Sequence, residues 1–291
     1  MLAELFSIVA PVYLCIALGY LWARSGRPFH TDFVADLCMT VGAPCLIFSS
    51  VVKLDGGIAS LMELALAVAL AHLLFALLGF AVLRAFDLPT TTFLGPVVFA
   101  NTGNMGLPIC LFAFGEVGLA LGVSYFALTS LIHFTVGQWT WTGVVSFRQI
   151  LRTPLAYAAL FAIVALASEA PVPDWLLRTT GTLGALTIPL MQLTLGVSLG
   201  QLTLGRLPRS IGVSLLRIGM GLAVGIGLAE LLDLEGIARG VLILDCAMPV
   251  AVVNYLFAQR YGRGASEVAG TVVISTLVSL ATLPLILAWL L

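Results

Sequence analysis

The sequence predicts an all-α polytopic membrane protein of ten transmembrane helices, built as two inverted five-helix repeats with helices 4 and 9 broken and crossing at mid-membrane. Three observations carry this prediction. The composition cannot cover a water-facing surface, the apolar runs have spanning length, and the basic residues alternate between loops. Of 291 residues, 60% are hydrophobic and 9% charged, with a mean hydropathy of +1.12. A soluble domain carries about 25% charged residues. The net charge of −1 offers nothing to a nucleic acid, so that class of partner is excluded.

Ten runs follow one another at 5–22, 33–52, 61–83, 91–114, 119–146, 154–168, 176–203, 208–232, 237–259 and 267–291. About 20 apolar residues cross a bilayer. The first run has Glu4 ahead of it and its first basic residue, Arg24, behind it. That is the reverse of a secretory leader, so it reads as a retained span. The second run holds Pro44 and the seventh Pro189, each read as a kink. The third and fifth carry His72 and His133, read as hydrogen-bonded inside the bundle. The sixth run is short and the seventh long. Glu63 and Glu230 lie near span ends and reach toward the interface. The five cysteines all fall in apolar runs without a CxxC pair, which argues for buried thiols rather than disulfides or zinc. Connections stay under about ten residues, so any function happens inside the bundle.

Numbering the loops alternately puts Arg24, Arg27, Arg84, Arg148, Arg152, Arg206, Arg209, Arg260 and Arg263 on one side, and only Lys53, Arg178 and Arg239 on the other. The positive-inside rule makes the first side cytoplasmic and leaves both termini outside.

The chain divides into repeats 1–146 and 147–291. Pro44 and Pro189 are 145 residues apart, and Pro108 and Pro249 are 141 apart. Five spans per half is odd, so the second half inserts upside down. That construction is typical of secondary carriers. The fourth run reads Ala100-Asn-Thr-Gly-Asn-Met-Gly-Leu-Pro108. Two glycines, two asparagines and a proline at membrane depth cannot form a lipid-facing helix. A broken helix presents free N–H groups at one end, which attract anions, and free carbonyls at the other, which attract cations. Pro108 and Pro249 are therefore expected to mark matching breaks.

Asn101-Thr-Gly-Asn-Met-Gly-Leu-Pro108, continuing to Phe114-Gly115, resembles the fourth-helix motif of the auxin efflux carrier family. Met248-Pro249-Val-Ala-Val-Val-Asn254, continuing through Leu256-Phe-Ala-Gln-Arg-Tyr-Gly262, is similar to that family's ninth helix, and Ser275 to Pro284 to its last. The resemblance covers the whole chain. It implies a fold shared with bile-acid/sodium symporters: a panel of helices 1, 2, 6 and 7, and a core or transport domain of helices 3–5 and 8–10. It implies elevator-type transport of organic anions, with auxin-like monocarboxylates moved by plant members and malate- or malonate-like dicarboxylates by bacterial ones. It also implies a multi-pass protein of the bacterial inner membrane and a homodimer through helices 2 and 7. The plant carriers place substrate on an Asn at the position of Asn101. Their large cytoplasmic loop is reduced here to Phe147–Thr153, so loop phosphoregulation does not carry over.

The expected substrate site comprises Asn101, Gly103, Asn104, Gly106, Pro108, Met248, Pro249, Asn254 and Arg217. The expected coupling site, for Na+ or H+, comprises Asp245, Gln192 and Thr194. Arg217 and Asp245 admit two readings. They pair and hold the core together, or Arg217 takes a substrate carboxylate while Asp245 couples an ion. Asn104 and Asn254 are read either as satisfying local backbone or as lining the site. Gly196-Val-Ser-Leu-Gly200 matches a nucleophile elbow formally but lies in mid-helix. It reads, like Gly118/Gly122 and Gly221/Gly225, as a close helix contact. No catalytic residue, cofactor or metal site is expected. A receptor for a small organic acid is the alternative function. The only lysine, Lys53, sits at a span end, which excludes a retinal Schiff base. Alkaline phosphatase fused after Leu291 is expected to be active; a fusion active only as a cytoplasmic reporter would overturn the orientation.

Overall fold

In the computed structural model, the described residues are 2–54, 57–142, 153–168, 171–202 and 207–291, and their regular secondary structure is helical. Seven helical stretches among them are long and apolar enough to cross a membrane, so the chain is a multi-pass membrane protein. Arg148, Arg152 and Arg206, and residues 147–152 of the link between halves, lie outside the described residues.

Helix α1 spans Leu2–Arg24. Helix α2, Thr31–Leu37, continues through a π-helical turn at Cys38–Gly42 into α3, Ala43–Val51. Pro44 explains the turn: it lacks an N–H and its ring crowds the preceding turn, so the register slips by one residue there. Helix α4 runs Gly57–Ala85 and α5 Thr90–Val98. After a break at 99–101 comes a π-helical turn, Thr102–Gly106, and then α6, Leu107–Ile132. A further π turn, His133–Gly137, leads into α7, Gln138–Thr142. Helix α8 is Pro154–Ser168, and α9 (Asp174–Ala185) meets α10 (Thr187–Gln201) at Leu186, three residues before Pro189. Helices α11 (Leu207–Leu231), α12 (Gly236–Cys246), α13 (Val253–Arg260) and α14 (Ala265–Leu290) complete the fold.

Helix α6 is folded back on itself. Gly115 has φ 68° and ψ −157°, outside helical geometry. A Cβ on Gly122 would lie 3.2 Å from Cys110 Sγ. In a straight helix those residues would stand about 18 Å apart. The chain therefore reverses at Gly115, and the fourth apolar run ends there, within a residue of its sequence boundary. Glycine is needed because a residue at φ 68° has no comfortable place for a Cβ.

Helix α1 packs along α10, and α3 along α8 and α9, while α11 packs on α12 and α14. Small residues permit the closest approaches. A Cβ on Gly196 would strike the Ile16 carbonyl oxygen, and one on Gly184 would lie 2.8 Å from Leu46 Cα. Gly221 and Gly225 likewise sit against the backbone of Cys246, Ala247 and Ile243, and Gly118 against Phe114 and Cys110. The small-residue reading of all three glycine pairs is thus met by close packing.

Several backbone features recur along the chain at a steady spacing. Pro44 and Pro189 both interrupt a helix. Asp87 and Asp233, 146 residues apart, are the non-glycine residues with positive φ among the described residues, at 51° and 54°. Each caps its helix alike: Leu88 N–H reaches Leu83 O at 2.8 Å, and Leu234 N–H reaches Ala229 O at 2.9 Å. Gly115 and Gly262, 147 apart, have φ of 68° and 64°. The expected matching breaks at Pro108 and Pro249 are corrected by the helices themselves, because only one of the two prolines lies in a break. Pro108 lies in the first turn of α6, where a missing N–H is harmless. Pro249 lies within the second break itself, between α12 and α13.

Gly196→Ala is expected to lower stability in detergent by about 1–3 kcal/mol, as overpacking does. Gly227→Ala, on α11 with nothing within 4 Å of its would-be Cβ, is expected to be neutral or to stabilise by up to about 1 kcal/mol. Thermal unfolding of the two variants beside wild type measures this, and equal effects would contradict the close α1–α10 packing.

Candidate functional site

The two breaks meet. Helix α5 ends at Val98, Phe99 turns extended (φ −101°, ψ 110°), and Ala100 forms an antiparallel bridge with Val250. Asn101 N–H donates to Pro249 O at 2.7 Å, and Ala251 N–H donates to Phe99 O at 3.2 Å. Val250 N–H, freed by the loss of helix, donates to Ser275 Oγ at 3.1 Å. Asn254 reaches across from α13, its Nδ2 donating to Phe99 O and Ala251 O, each at 3.1 Å. Such exchange answers an obligation: backbone groups left open in hydrocarbon cost several kcal/mol each.

Asn101 caps the π-helical turn at Thr102–Gly106. Its Oδ1 accepts the Asn104 N–H at 3.3 Å, and its carbonyl accepts Met105 and Gly106 N–H, each at 3.3 Å. Its Nδ2 is buried without a hydrogen-bond partner. Gly103 and Gly106 are small because their surroundings are close. A Cβ on Gly103 would lie 2.7 Å from Met191 Cε, and one on Gly106 would collide with Asp245 Oδ1.

Arg217, on α11, is fully buried. Its Nη1 donates to Val97 O at 2.8 Å and Val98 O at 3.3 Å. Its Nε donates to Met248 O at 3.3 Å, and its Nη2 to Cys246 O. Its guanidinium carbon stands 4.4 Å from the centre of the Phe75 ring on α4. Of the two readings of these residues, the Arg217–Asp245 pair is absent among the described ion pairs. The reason is electrostatic. Two helix C-termini, each equivalent to about half a negative charge, converge on one guanidinium, so the carbonyl ends of α5 and α12 supply the counter-charge. Asp245 instead turns to α6. Cys110 Sγ donates to its Oδ2 at 3.8 Å, and its Oδ1 is buried without a partner.

Two cavities lie against α10, and the smaller reaches the crossover at Asn104 and Val252. One, of about 400 Å³, is lined by Asn104, Met191, Thr194, Ser198, Val252 and Tyr255 among others, with Thr31, Gln201 and Gln259 near helix ends. The other, of about 640 Å³, is lined by Ser49, Ser50, Lys53, Glu116 and Gln192, with Pro189 and Gly181. Helix α10 walls both. Neither cavity's lining includes Arg217 or Asp245.

The fold thus gathers Asn101, Gly103, Gly106, Met248, Pro249, Asn254, Arg217 and Asp245 at one crossover, with Asn104 on a cavity wall. It leaves Pro108 in the helix beyond. It does not unite the expected coupling set: Thr194 and Gln192 face opposite cavities. Thr194 Oγ1 bonds its own helix at Leu190 O, 2.7 Å, while Gln192 Nε2 is buried without a partner. His72 bonds Val68 O at 2.8 Å, and His133 stacks on Phe99 with ring centres 3.9 Å apart. Glu230 pairs at the surface with Arg239 at 3.0 Å. Ser275, Phe75 and Tyr255 are site neighbours that sequence reasoning misses; Ser275 is one of several hydroxyls in its run, beside Thr271, Thr276 and Ser279, and only its helical phase points to the crossover. The cysteines are all free, with Cys38, Cys110 and Cys246 buried.

The sequence matches the family described as membrane transport protein over residues 5–142 and 140–287. It is 23% identical over 298 residues to an uncharacterized transporter of Methanocaldococcus jannaschii, covering 96% of each chain. It is 24% identical over 294 residues to an uncharacterized transporter of Methanothermobacter thermautotrophicus, covering 95% of each.

Gly106→Ala is expected to destabilise by about 1–3 kcal/mol through its clash with Asp245. Adding Asp245→Ala should recover part of the loss, with a coupling of about 1 kcal/mol or more in a double-mutant cycle. Strict additivity in thermal unfolding would mean that the two do not touch.

Proposed function

The chain belongs to the auxin efflux carrier family of membrane transport proteins, and from that premise we propose that it is a secondary carrier for small organic anions, working by alternating access. The observation that carries the reading is the unpaired Asn101 Nδ2 at the crossover, one hydrogen bond from the cavity-lining Asn104. A buried donor needs an acceptor. The helix that follows the break also brings the positive end of its dipole to the same place. A carboxylate satisfies both. The substrates proposed are auxin-like monocarboxylates or malate- and malonate-like dicarboxylates.

The architecture proposed is ten spans in two inverted repeats. It is supported by the recurring backbone features at 145 to 147 residues and by the antiparallel bridge between breaks. In the elevator reading, α1–α3 and α8–α10 form the panel, and α4–α7 with α11–α14 carry the crossover. The packing of α1 on α10 and of α11 on α12 and α14 supports that division. Two cavities on either side of one helix support access from alternate sides. We propose Asp245 as the group on which coupling to an ion rests, because its buried Oδ1 is unpartnered. A homodimer through the second and seventh spans rests on fold-level analogy alone.

Purified protein in liposomes is expected to take up labelled malonate, malate or indole-3-acetate saturably and to show counterflow. Asn101→Ala is expected to cut that flux about 10-fold or more, the loss of a hydrogen bond to a charged group. Binding of a carboxylate without any flux would favour a receptor instead, and flux without saturation or counterflow would favour a channel.

A further inference from the structure

The carbonyl ends of two broken helices, facing each other, are the place where a carrier of this kind would be expected to hold a metal cation. Unwound carbonyls and half-helix C-termini are sodium ligands in many secondary carriers. In this chain the carbonyls are already occupied. Val97 and Val98 close α5, Cys246 closes α12, and Met248 comes just after it. All four oxygens receive hydrogen from Arg217. The guanidinium is fully buried and covered on one face by Phe75.

We propose that Arg217 is a tethered cation standing where a coupling sodium would bind, which makes the crossover independent of sodium. The inference deepens the carrier reading and rests on it. Three features argue for it. Arg217 makes four hydrogen bonds to backbone carbonyls from a side chain with five N–H groups, so its role is the one a bound metal performs. Those carbonyls come from both broken helices, so the charge ties the two breaks together and moves with them. Finally, Asp245 offers sodium a poor alternative. Its described hydrogen bond comes from the Cys110 thiol, and Gly106 packs against its other oxygen, which is not the shell of oxygens that a hard cation needs.

A permanent cation has a consequence for selectivity. It offsets the negative ends of both half-helices without being released in each cycle, so an anionic substrate meets a crossover whose charge is already balanced. Arg217 is a positioning residue here: it holds the backbone that holds the substrate, and it lines neither cavity.

The test uses thermal unfolding of the full-length protein in sodium, choline and guanidinium chlorides at equal, low millimolar concentration. Wild type is expected to unfold at the same temperature in all three. Arg217→Lys should remain closer to wild type than Arg217→Ala. Arg217→Ala should gain about 2–4 °C from guanidinium over choline, as a ligand that binds only the folded state does. A sodium-specific rise of that size in wild type would overturn the proposal. So would a folded Arg217→Ala that ignores guanidinium. If Arg217→Ala cannot be purified, the wild-type sodium arm decides alone. None of these readings needs transport, so a chain that moves no carboxylate would refute the carrier reading and leave this result standing.

Discussion

A polypeptide in hydrocarbon has no water to satisfy its backbone, and this chain interrupts two helices in the interior of its bundle. Everything around the crossover answers that problem. An open carbonyl there costs several kcal/mol, and a mid-span Arg costs about 2.5–3.5 kcal/mol on insertion scales. One Arg217 that satisfies four carbonyls is therefore the less costly arrangement. The antiparallel exchange between Asn101, Pro249, Phe99 and Ala251 settles the next groups, and the Asn254 amide and Ser275 hydroxyl settle others. The groups left over are informative because so much has been satisfied. The Asn101 amide donor, one Asp245 oxygen and the Asn254 amide oxygen remain open, and they mark where something other than the protein is expected.

The glycines divide into two kinds of work. Gly184, Gly196 and Gly221 let helix backbones approach until a Cβ would strike the neighbour. Their role is packing, and in a membrane such contacts stand in for the hydrophobic drive that water supplies elsewhere. Gly103 and Gly106 instead border the crossover, one against Met191 and the other against Asp245. Gly103 also matters to the cavities. Met191 lines the smaller cavity and the next residue, Gln192, lines the larger, so α10 is the partition between them.

Much of this was legible in the sequence. Apolar run length placed α8 at Pro154–Ser168 to the residue, and it placed α11 and α14 within two residues. The glycine pairs and the kinks at Pro44 and Pro189 were legible because each has one local cause. Asn101 was legible as a residue of the first break through the family motif. The exact break was not. Proline draws the eye, but Pro108 stands where proline fits a helix, and the extended residues before Asn101 carry no such mark. The partner of Arg217 was missed for a different reason. Charges suggest charges, and sequence displays Asp245 but not the carbonyls at a helix end. Thr194 and Gln192 were grouped by proximity along α10, yet two residues on a helix point about 200° apart, into different cavities.

The placement of Arg217 also bears on how the chain is made. Synthesis runs from the N-terminus, so Val97 and Val98 are in the membrane long before α11 arrives carrying its charge. Cys246 and Met248 come 29 and 31 residues after Arg217. At the moment α11 leaves the translocon, half of its acceptors exist and half have not been synthesised. Its integration is thus coupled to that of α12, whose end supplies the remaining acceptors. A chain truncated after α11 would carry a charge whose second set of acceptors never comes, which makes that truncation a natural substrate for membrane quality control.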